Sequence, residues 1–206
     1  MDNATFYDKR YQSENNYSKD FDFYRLFIKF LKKRYPLAPL EKGKNAIDLG
    51  CGTGALLRHF EILGFSHTYG CDYSNVAIDR LRDRFANVFV QDICNPIDVE
   101  VEFDLITAFE VFEHLEEPER AIQNIVKKLK KDGLLVFTTP FPNTSSHFTD
   151  VSIKHSDEWR AILESTNMTL DCYPVKFVNL IWRMGFPLLE VKPENSTTVI
   201  YVAKHK

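Results

Sequence analysis

The feature that most constrains the fold is the alternation of short apolar runs with amphipathic helical segments from Lys44 to the C-terminus. Short apolar runs predict buried strands, and the segments between them have the 3.6-residue period of helices. Strands that alternate with helices form parallel sheets with helices on both faces. The last two predicted strands lack a convincing helix between them, which predicts an antiparallel edge. The sequence therefore predicts an α/β fold with a seven-stranded, mostly parallel sheet.

Local start and stop residues divide the chain into these elements. Seven apolar runs predict strands over residues 45–49, 67–71, 88–90, 103–109, 134–138, 169–177 and 197–203. Helices are predicted over residues 21–34 and 55–63, from the cap Ser74 to Phe85, from Pro118 to Gly133, and after the cap Ser156.

Composition and charge narrow the class of protein. The 206 residues suit one α/β domain, and a formal net charge of −3 makes nucleic acid an improbable partner. The four cysteines form no CxxC pair and no metal-finger spacing, which favours a reducing compartment. The N-terminus lacks the order of a signal peptide, and the apolar stretch 177–191 is too short to span a bilayer. We therefore expect a cytoplasmic protein without a membrane partner.

A glycine-rich turn follows the first predicted strand, with the sequence Asp48-Leu49-Gly50-Cys51-Gly52-Thr53-Gly54. Glycines permit a tight turn and a close backbone approach to a ligand at a helix N-terminus. Such turns also occur where they serve only strand-to-helix packing. Asp48 favours a ligand-binding turn of a particular kind. An acid before the first glycine would repel a pyrophosphate but can accept hydrogen bonds from a cationic amino-acid ligand.

Carboxylates follow the next two predicted strands. Asp72 ends the second strand, where a carboxylate can accept both hydroxyls of a ribose. Asp92 ends the third, where an acid can take an adenine amino group while Ile93 packs on the ring. The alternative is that both acids cap strand ends or form turns. As an ordered set with the glycine turn, they favour a ligand bound at the carboxyl ends of the strands.

This ordered set resembles the class I S-adenosylmethionine-dependent methyltransferases. The matching segments are AIDLGCGTG (46–54), GCD (70–72), QDI (91–93) and FDLITAFEVFEHL (103–115). The resemblance implies a Rossmann-like fold and S-adenosyl-L-methionine as the cofactor. It implies that the glycines line the methionine part, that Asp72 holds the ribose, that Asp92 meets the adenine, and that the backbone near Phe109 meets the amino group. The cofactor-binding residues expected on this basis are Asp48, Gly50, Gly52, Gly54, Asp72, Tyr73, Asp92, Ile93 and Phe109.

A dinucleotide is the competing cofactor. The pattern Gly50-x-Gly52-x-x-Ala55, with Asp72 as the ribose acid, can be placed on the nicotinamide-cofactor fingerprint. Asp48 and the aspartate after the third strand are not part of that fingerprint. The chain also has no remaining domain to bind a hydride acceptor, so the methyl donor is favoured.

The residues that would act on the methyl acceptor follow the fourth predicted strand, in Glu110-Val111-Phe112-Glu113-His114. In a helical turn, Glu110 would face the same side as Glu113 and His114. Two acids and an imidazole suggest either a general base or a site for Mg or Mn. The candidates for proton removal are His114, Glu113 and His155, and those for a metal are Glu110, Glu113, His114 and His155. The structural alternative is that Glu113 caps a neighbouring backbone and His114 packs beneath the sheet end.

This segment is similar to two branches of the family. Ubiquinone-biosynthesis-type O-methyltransferases carry a comparable E-x-x-E-H segment, and small-RNA 3′-terminal 2′-O-methyltransferases use one, with a later histidine, to hold a metal. The sequence lacks the denser histidine cluster expected of the second branch after the fifth strand. We therefore predict O-methylation of a small molecule. The alternatives are the metal-dependent RNA reaction and a non-catalytic S-adenosylmethionine-binding regulatory protein.

The single methyltransferase domain is predicted to span residues 1–206 in three parts. Residues 1–40 would form a helical lid or arm, residues 44–140 the cofactor-binding core, and residues 141–206 the acceptor-side loop, helix and closing strands. The first part contains the aromatic residues Phe6, Tyr7, Tyr11 and Tyr17. They predict a lid that folds over bound cofactor and excludes water, with an amphipathic arm packed on the sheet as the alternative.

Overall fold

The computed structural model describes residues 3–13, 24, 27–28, 30–32, 34–35, 43–142, 150–175 and 198–206. The chain divides into two compact units, Met1–Asp92 and Ile93–Lys206. The helices are α1 Asn3–Ser13, α2 Ala55–Leu63, α3 Asn75–Leu81, α4 Pro118–Val126 and α5 Ser156–Ser165. The strands are β1 Asn45–Leu49, β2 His67–Asp72, β3 Val88–Val90, β4 Phe103–Phe109, β5 Leu129–Pro140, β6 Met168–Val175 and β7 Thr198–His205. A 3-10 turn covers Phe112–His114.

The strands form a seven-stranded sheet in the order β3-β2-β1-β4-β5-β7-β6. The pairs β1–β2, β2–β3 and β4–β5 are parallel, whereas β7 runs antiparallel to both β5 and β6. The predicted α/β fold with a mostly parallel sheet and a reversed strand near one edge is confirmed. The prediction of one domain over residues 1–206 stays a prediction.

In the first unit, α2 packs closely on its strands. Leu56, Leu57 and Phe60 are buried along one face of α2, and Gly64 ends the helix in the left-handed conformation, as predicted. A Cβ placed on Gly70 of β2 would lie 2.8 Å from Leu57 Cδ1. A side chain at this position would therefore displace the Leu57 side chain from the surface of the sheet.

The N-terminal residues are helical where the structure describes them. Helix α1 lies within residues 1–40, for which a helical lid or arm was predicted, although the sequence gave no helix bounds for this polar segment. Within the predicted helix 21–34, residues 24, 27–28, 30–32 and 34 are helical, with Phe27 and Leu31 fully buried. Tyr17, Phe23 and Leu26 lie outside the described residues.

In the second unit, four aromatic side chains form the centre of the core. The rings of Phe137 and Tyr201 stack with centroids 4.7 Å apart, and Phe112 meets Phe137 edge-on at 4.9 Å. Trp159 of α5 joins them, with its ring 5.4 Å from that of Phe137. Because Phe112 belongs to the 3-10 turn, this cluster anchors the turn against β5 and α5.

Two predicted helix boundaries were wrong by a few residues. Helix α3 ends at Leu81 rather than Phe85, because the Arg84 and Phe85 N–H groups both donate to the Leu81 carbonyl and tighten the chain into a turn. Helix α5 is capped by His155 rather than Ser156, since Glu158 accepts from the His155 N–H at 2.8 Å. The Ser156 hydroxyl instead pairs with the Tyr201 hydroxyl. The cap at Ser74 is confirmed, because its hydroxyl accepts from the Ala77 N–H.

The predicted end of α4 at Gly133 was also wrong. The helix ends at Val126, and β5 begins at Leu129, so Gly133 lies inside a strand. The Phe103 N–H donates to the Lys128 carbonyl at 2.8 Å, and Lys130 Nζ lies 2.8 Å from Asp104. These contacts with β4 hold the lysine-rich segment in the sheet, which local helix signals do not reveal.

No helix in the described part of the chain is long and apolar enough to cross a membrane.

The position of Gly133 yields a test of this strand. A Cβ there would lie 2.9 Å from the Phe103 carbonyl oxygen and 3.0 Å from that of Lys130, so backbone must move. We expect Gly133→Ala to lower the free energy of unfolding by about 1–3 kcal/mol in urea denaturation. Lys131→Ala, at an exposed site in the same strand, is the control and should change it little. Equal effects would contradict the close approach.

Candidate functional site

The Asp72 carboxylate organises the end of β2. Its Oδ2 accepts from the Gly52 N–H and its Oδ1 from the Ser74 N–H, each at 2.9 Å. The residue is 7% exposed. Burial raises the pKa of Asp72, and the two backbone hydrogen bonds oppose that rise. We call Asp72, Gly52 and Ser74 the Asp72 cradle.

The glycine turn brings bare backbone to this carboxylate. The Gly50 and Cys51 N–H groups both donate to the Cys71 carbonyl, at 2.8 and 2.9 Å. Gly50, Gly52 and Gly54 have φ values of 72°, 50° and 72°, in the left-handed region that favours glycine. The sharp reversal therefore ties the end of β1 to β2, and its glycines add no Cβ atoms to the surface of the turn.

The other predicted cofactor residues lie in varied settings. Asp48 is buried in β1, opposite Gly70 of β2, whereas Tyr73 is 44% exposed just after β2. Asp92 is half-buried after β3. In the second unit, Ile93 is buried and Phe109 is half-buried at the end of β4, in register with Thr138. Their roles toward a cofactor stay predictions.

Glu110, directly after β4, has an unusual backbone conformation. Its φ is 52°, in the left-handed region that a non-glycine residue enters at a cost of about 1–2 kcal/mol. Thr138 of β5 holds it there. The Glu110 N–H meets Thr138 O and Oγ1 at 3.1 Å, and Thr138 Oγ1 donates to Glu110 Oε1 at 2.8 Å. Such strain is retained where a precise side-chain position matters.

Glu113 is a buried acid that adjoins Glu110. The residue is 1% exposed, and burial followed by repulsion from Glu110 raises its pKa well above the usual range. A hydrogen bond joins the two carboxyl groups, which fits a protonated Glu113 that donates to Glu110. Glu110 is exposed as a residue, but loss of water around its carboxylate raises its pKa as well. Among the described residues, Glu113 Oε2 has no hydrogen-bond partner.

His114 pairs with an acid that the sequence analysis missed. Its Nδ1 lies 3.1 Å from Asp150 Oδ1, while its Nε2 lies 3.9 Å from Glu113 Oε1. The Asp150 side chain is 4% exposed and that of His114 is 20% exposed. The Val151 and Ser152 N–H groups both donate to the Glu113 carbonyl, which docks this segment on the 3-10 turn. No local pattern marks Asp150, because it becomes a partner only when residues 150–152 dock on the 3-10 turn.

The structure thus gathers Glu110, Glu113, His114 and Asp150, but it does not bring His155 to them. His155 is exposed at the start of α5, where its ring meets that of Phe141 edge-on. Within the described residues it makes no hydrogen bond with Glu113 or His114. In the same part of the chain, no three His, Cys, Asp or Glu side chains are arranged to hold a metal ion. The structure therefore does not bring the predicted ligands Glu110, Glu113, His114 and His155 together as one metal site.

The comparisons with known proteins identify the family. The family model described as a methyltransferase domain matches residues 19–189. Ubiquinone biosynthesis O-methyltransferase of Coxiella burnetii (strain Dugway 5J108-111) is 32% identical over 124 residues, a match that covers 54% of this chain and 48% of that protein. The chain therefore spans about half the length of the curated relatives it matches.

Solved structures show the same fold. A S-adenosylmethionine-dependent methyltransferase from Clostridium acetobutylicum ATCC 824 superposes with a TM-score of 0.69 at 15% identity, over 98% of this chain and 97% of that one. The plantazolicin methyltransferase BpumL in complex with SAH gives a TM-score of 0.68 at 13% identity, over 96% and 90%. The fold is that of S-adenosylmethionine-dependent methyltransferases. The chain belongs to the methyltransferase domain family, which confirms the resemblance found in its sequence.

The buried Glu113 carboxyl predicts a pH-dependent stability. The folded chain keeps its proton, whereas the unfolded chain releases it above the ordinary pKa of 4.5. Wild-type stability is therefore lost as pH rises from about 4.5 toward the folded pKa, by about 1.4 kcal/mol per pH unit. Glutamine cannot ionise, so the stability of Glu113→Gln relative to wild type should increase from pH 4.5 to pH 8 in thermal unfolding.

The exposed Glu116 provides the matched control for this experiment. Glu116→Gln should show a difference from wild type that stays nearly constant across the same pH range. A constant difference for Glu113→Gln as well would mean that Glu113 ionises normally in the folded chain.

Proposed function

We propose that this chain transfers a methyl group from S-adenosylmethionine to an oxygen atom of a small molecule. Membership of the methyltransferase domain family supports the reaction, and the similarity to the Coxiella O-methyltransferase supports oxygen as the accepting atom. The single observation that carries the choice of oxygen is the His114–Asp150 pair. A hydroxyl acceptor must lose a proton, and this pair is an accessible imidazole held by a buried carboxylate.

The first unit has candidate groups for binding each part of the cofactor. The Asp72 carboxylate accepts backbone N–H groups, including those of Gly52 and Ser74, and its two oxygens together have further lone pairs for a ribose hydroxyl. Gly50 and Gly52 offer backbone without side chains for the amino-acid part, and Asp92 is the candidate for the adenine amino group. When bound, the sulfonium supplies an already activated methyl group. The protein residues then need only to bind, orient and exclude water.

His114 is our candidate for the general base. When its Nδ1–H donates to Asp150, the tautomer that remains presents an unprotonated Nε2. The carboxylate also stabilises the imidazolium that forms once Nε2 takes the hydroxyl proton. The side chain retains a solvent-facing edge, which an acceptor hydroxyl can reach. His155 has no comparable carboxylate, and we give it no step.

Glu113 and Glu110 have a different part in this proposal. Burial and repulsion from Glu110 raise the pKa of Glu113, so this carboxyl holds its proton more tightly than an ordinary glutamate and is the weaker candidate for the base. It fixes Glu110 through their shared hydrogen bond and leaves the imidazole as the proton acceptor of the cluster. The pair therefore supports the shape of the 3-10 turn and the position of His114 on it.

The cofactor is tested by calorimetric titration of the whole chain with S-adenosylmethionine and, separately, with NAD. We expect binding of the methyl donor and at least about a tenfold loss of affinity in Asp72→Ala, since a ribose contact and the cradle both disappear. Asp79→Ala, an exposed acid of α3, is the control and should bind as wild type does. NAD binding without methyl-donor binding would overturn the proposal.

The base is tested by following SAH formation with a panel of small phenols and alcohols. We expect His114→Ala to lower kcat by about 10²–10⁴-fold, because the hydroxyl keeps its proton. Asp150→Asn should lower kcat less, and donor affinity should be unchanged in both variants. Full turnover in both would remove the base assignment. Donor binding without turnover of any panel member by the wild type would favour a regulatory protein.

A further inference from the structure

Helix α1 places two polar side chains on the first unit. Asp8 Oδ1 accepts from the Ser74 hydroxyl and from the Val76 N–H, the latter at 3.3 Å. Tyr11 Oη lies 2.8 Å from the point where a Cβ on Gly52 would stand. Residues three apart lie on the same helix face, so one face of α1 carries both contacts.

These two contacts are made with Ser74 and Gly52, the two cradle residues whose N–H groups bind the Asp72 carboxylate. Asp8 holds Ser74, whose N–H donates to Asp72 Oδ1. Tyr11 rests on Gly52, whose N–H donates to Asp72 Oδ2. Helix α1 therefore bridges the carboxylate from one side to the other, although its sequence lies more than sixty residues from Asp72.

Helix α1 is held on the first unit by these polar contacts more than by buried apolar side chains. None of the side chains that the structure describes in α1, at positions 5–9, 11 and 12, is fully buried. Phe6 and Tyr7 pack edge-on against each other, with centroids 5.2 Å apart, and both are half-buried. A helix held in this way can separate from its support at small cost in free energy.

We infer that Tyr11 binds the amino-acid part of the methyl donor, and that Asp8 is the positioning residue that holds Tyr11 over the cradle. The inference rests on the proposed function, because Gly52 is the glycine assigned to that part of the cofactor. A phenol hydroxyl both donates and accepts, which suits a ligand that carries an ammonium and a carboxylate group. The bare backbone of Gly52 leaves the space that the hydroxyl occupies.

The opposite arrangement makes the opposite prediction. If Tyr11 only fills the empty turn in the free chain, the donor must displace it before it binds. Loss of the hydroxyl would then strengthen binding, whereas loss of a true contact weakens it. The sign of the change in affinity therefore decides whether Tyr11 binds the methyl donor or only blocks its site.

The test is calorimetric titration of the whole chain with S-adenosylmethionine. Tyr11→Phe should weaken binding about three- to tenfold, the value of one net hydrogen bond. Asp8→Ala should weaken it to a similar degree, and Asp8→Asn should recover most of the loss, because an amide oxygen still accepts from Ser74 and Val76. Gln12→Ala, an exposed neighbour on α1, should leave affinity unchanged. Thermal unfolding of each variant confirms that it is folded.

A second readout follows α1 itself. Trypsin cleaves after Lys9 and Arg10, and a helix seated on bound donor should protect those bonds. We expect S-adenosylmethionine to slow this cleavage in the wild type and in Gln12→Ala, and to slow it much less in Asp8→Ala. Equal protection in Asp8→Ala would show that Asp8 does not hold the helix.

The outcomes separate this inference from the proposed function. If the wild type does not bind the donor, the proposed function fails. If the wild type binds and Asp72→Ala does not, the cofactor assignment holds. In that case, unchanged or tighter binding by Tyr11→Phe together with wild-type behaviour of Asp8→Ala overturns the assignment of α1 alone.

Discussion

The first unit depends on the Asp72 carboxylate. An acid that is 7% exposed has lost most of its water, and burial raises its pKa accordingly. The backbone N–H groups of Gly52, in the turn after β1, and of Ser74, at the start of α3, offset that loss and fix both segments relative to β2. Ser74 extends the same network to Asp8, and Gly52 extends it to Tyr11. The conformation of the turn, the helix start and the N-terminal helix is therefore set around one buried charge.

The second unit is organised by packing and strain. Phe112, Phe137, Trp159 and Tyr201 fix the 3-10 turn by ring contacts, and Thr138 holds Glu110 in a left-handed conformation. Glu113 is a buried acid of the same turn. Its backbone carbonyl accepts hydrogen bonds from the segment that carries Asp150, and Asp150 then lies beside His114. An imidazole held this firmly needs little reorganisation when it takes a proton. The geometry thus supports His114 over Glu113 as the base, a choice that the sequence left open.

Most element positions were predictable, because each strand and helix carries its own signal in local periodicity. The bounds of α2, β1, β3 and β4 match the predicted ranges. The errors occur where a partner distant in sequence outweighs the local signal. Residues 129–133 were predicted as the end of a helix but belong to β5, where Leu129 pairs with Phe103 of β4. Ser156 was predicted as a cap but bonds to Tyr201. His155 was predicted to act with His114, whereas the group that pairs with His114 is the Asp150 carboxylate.

The sequence by itself determined the fold class and the family, and it singled out Asp72 and Gly52 as candidate cofactor residues. These follow from periodicity and from glycines and acids at fixed spacings, which are properties of neighbouring residues. Only the tertiary structure decided which acid pairs with His114, that burial raises the pKa of Glu113, and that Asp8 and Tyr11 reach the cradle. Those features depend on burial and on contacts between segments far apart in the chain. Desolvation and through-space hydrogen bonds leave no periodic trace in the sequence, so they become visible only when the chain is folded.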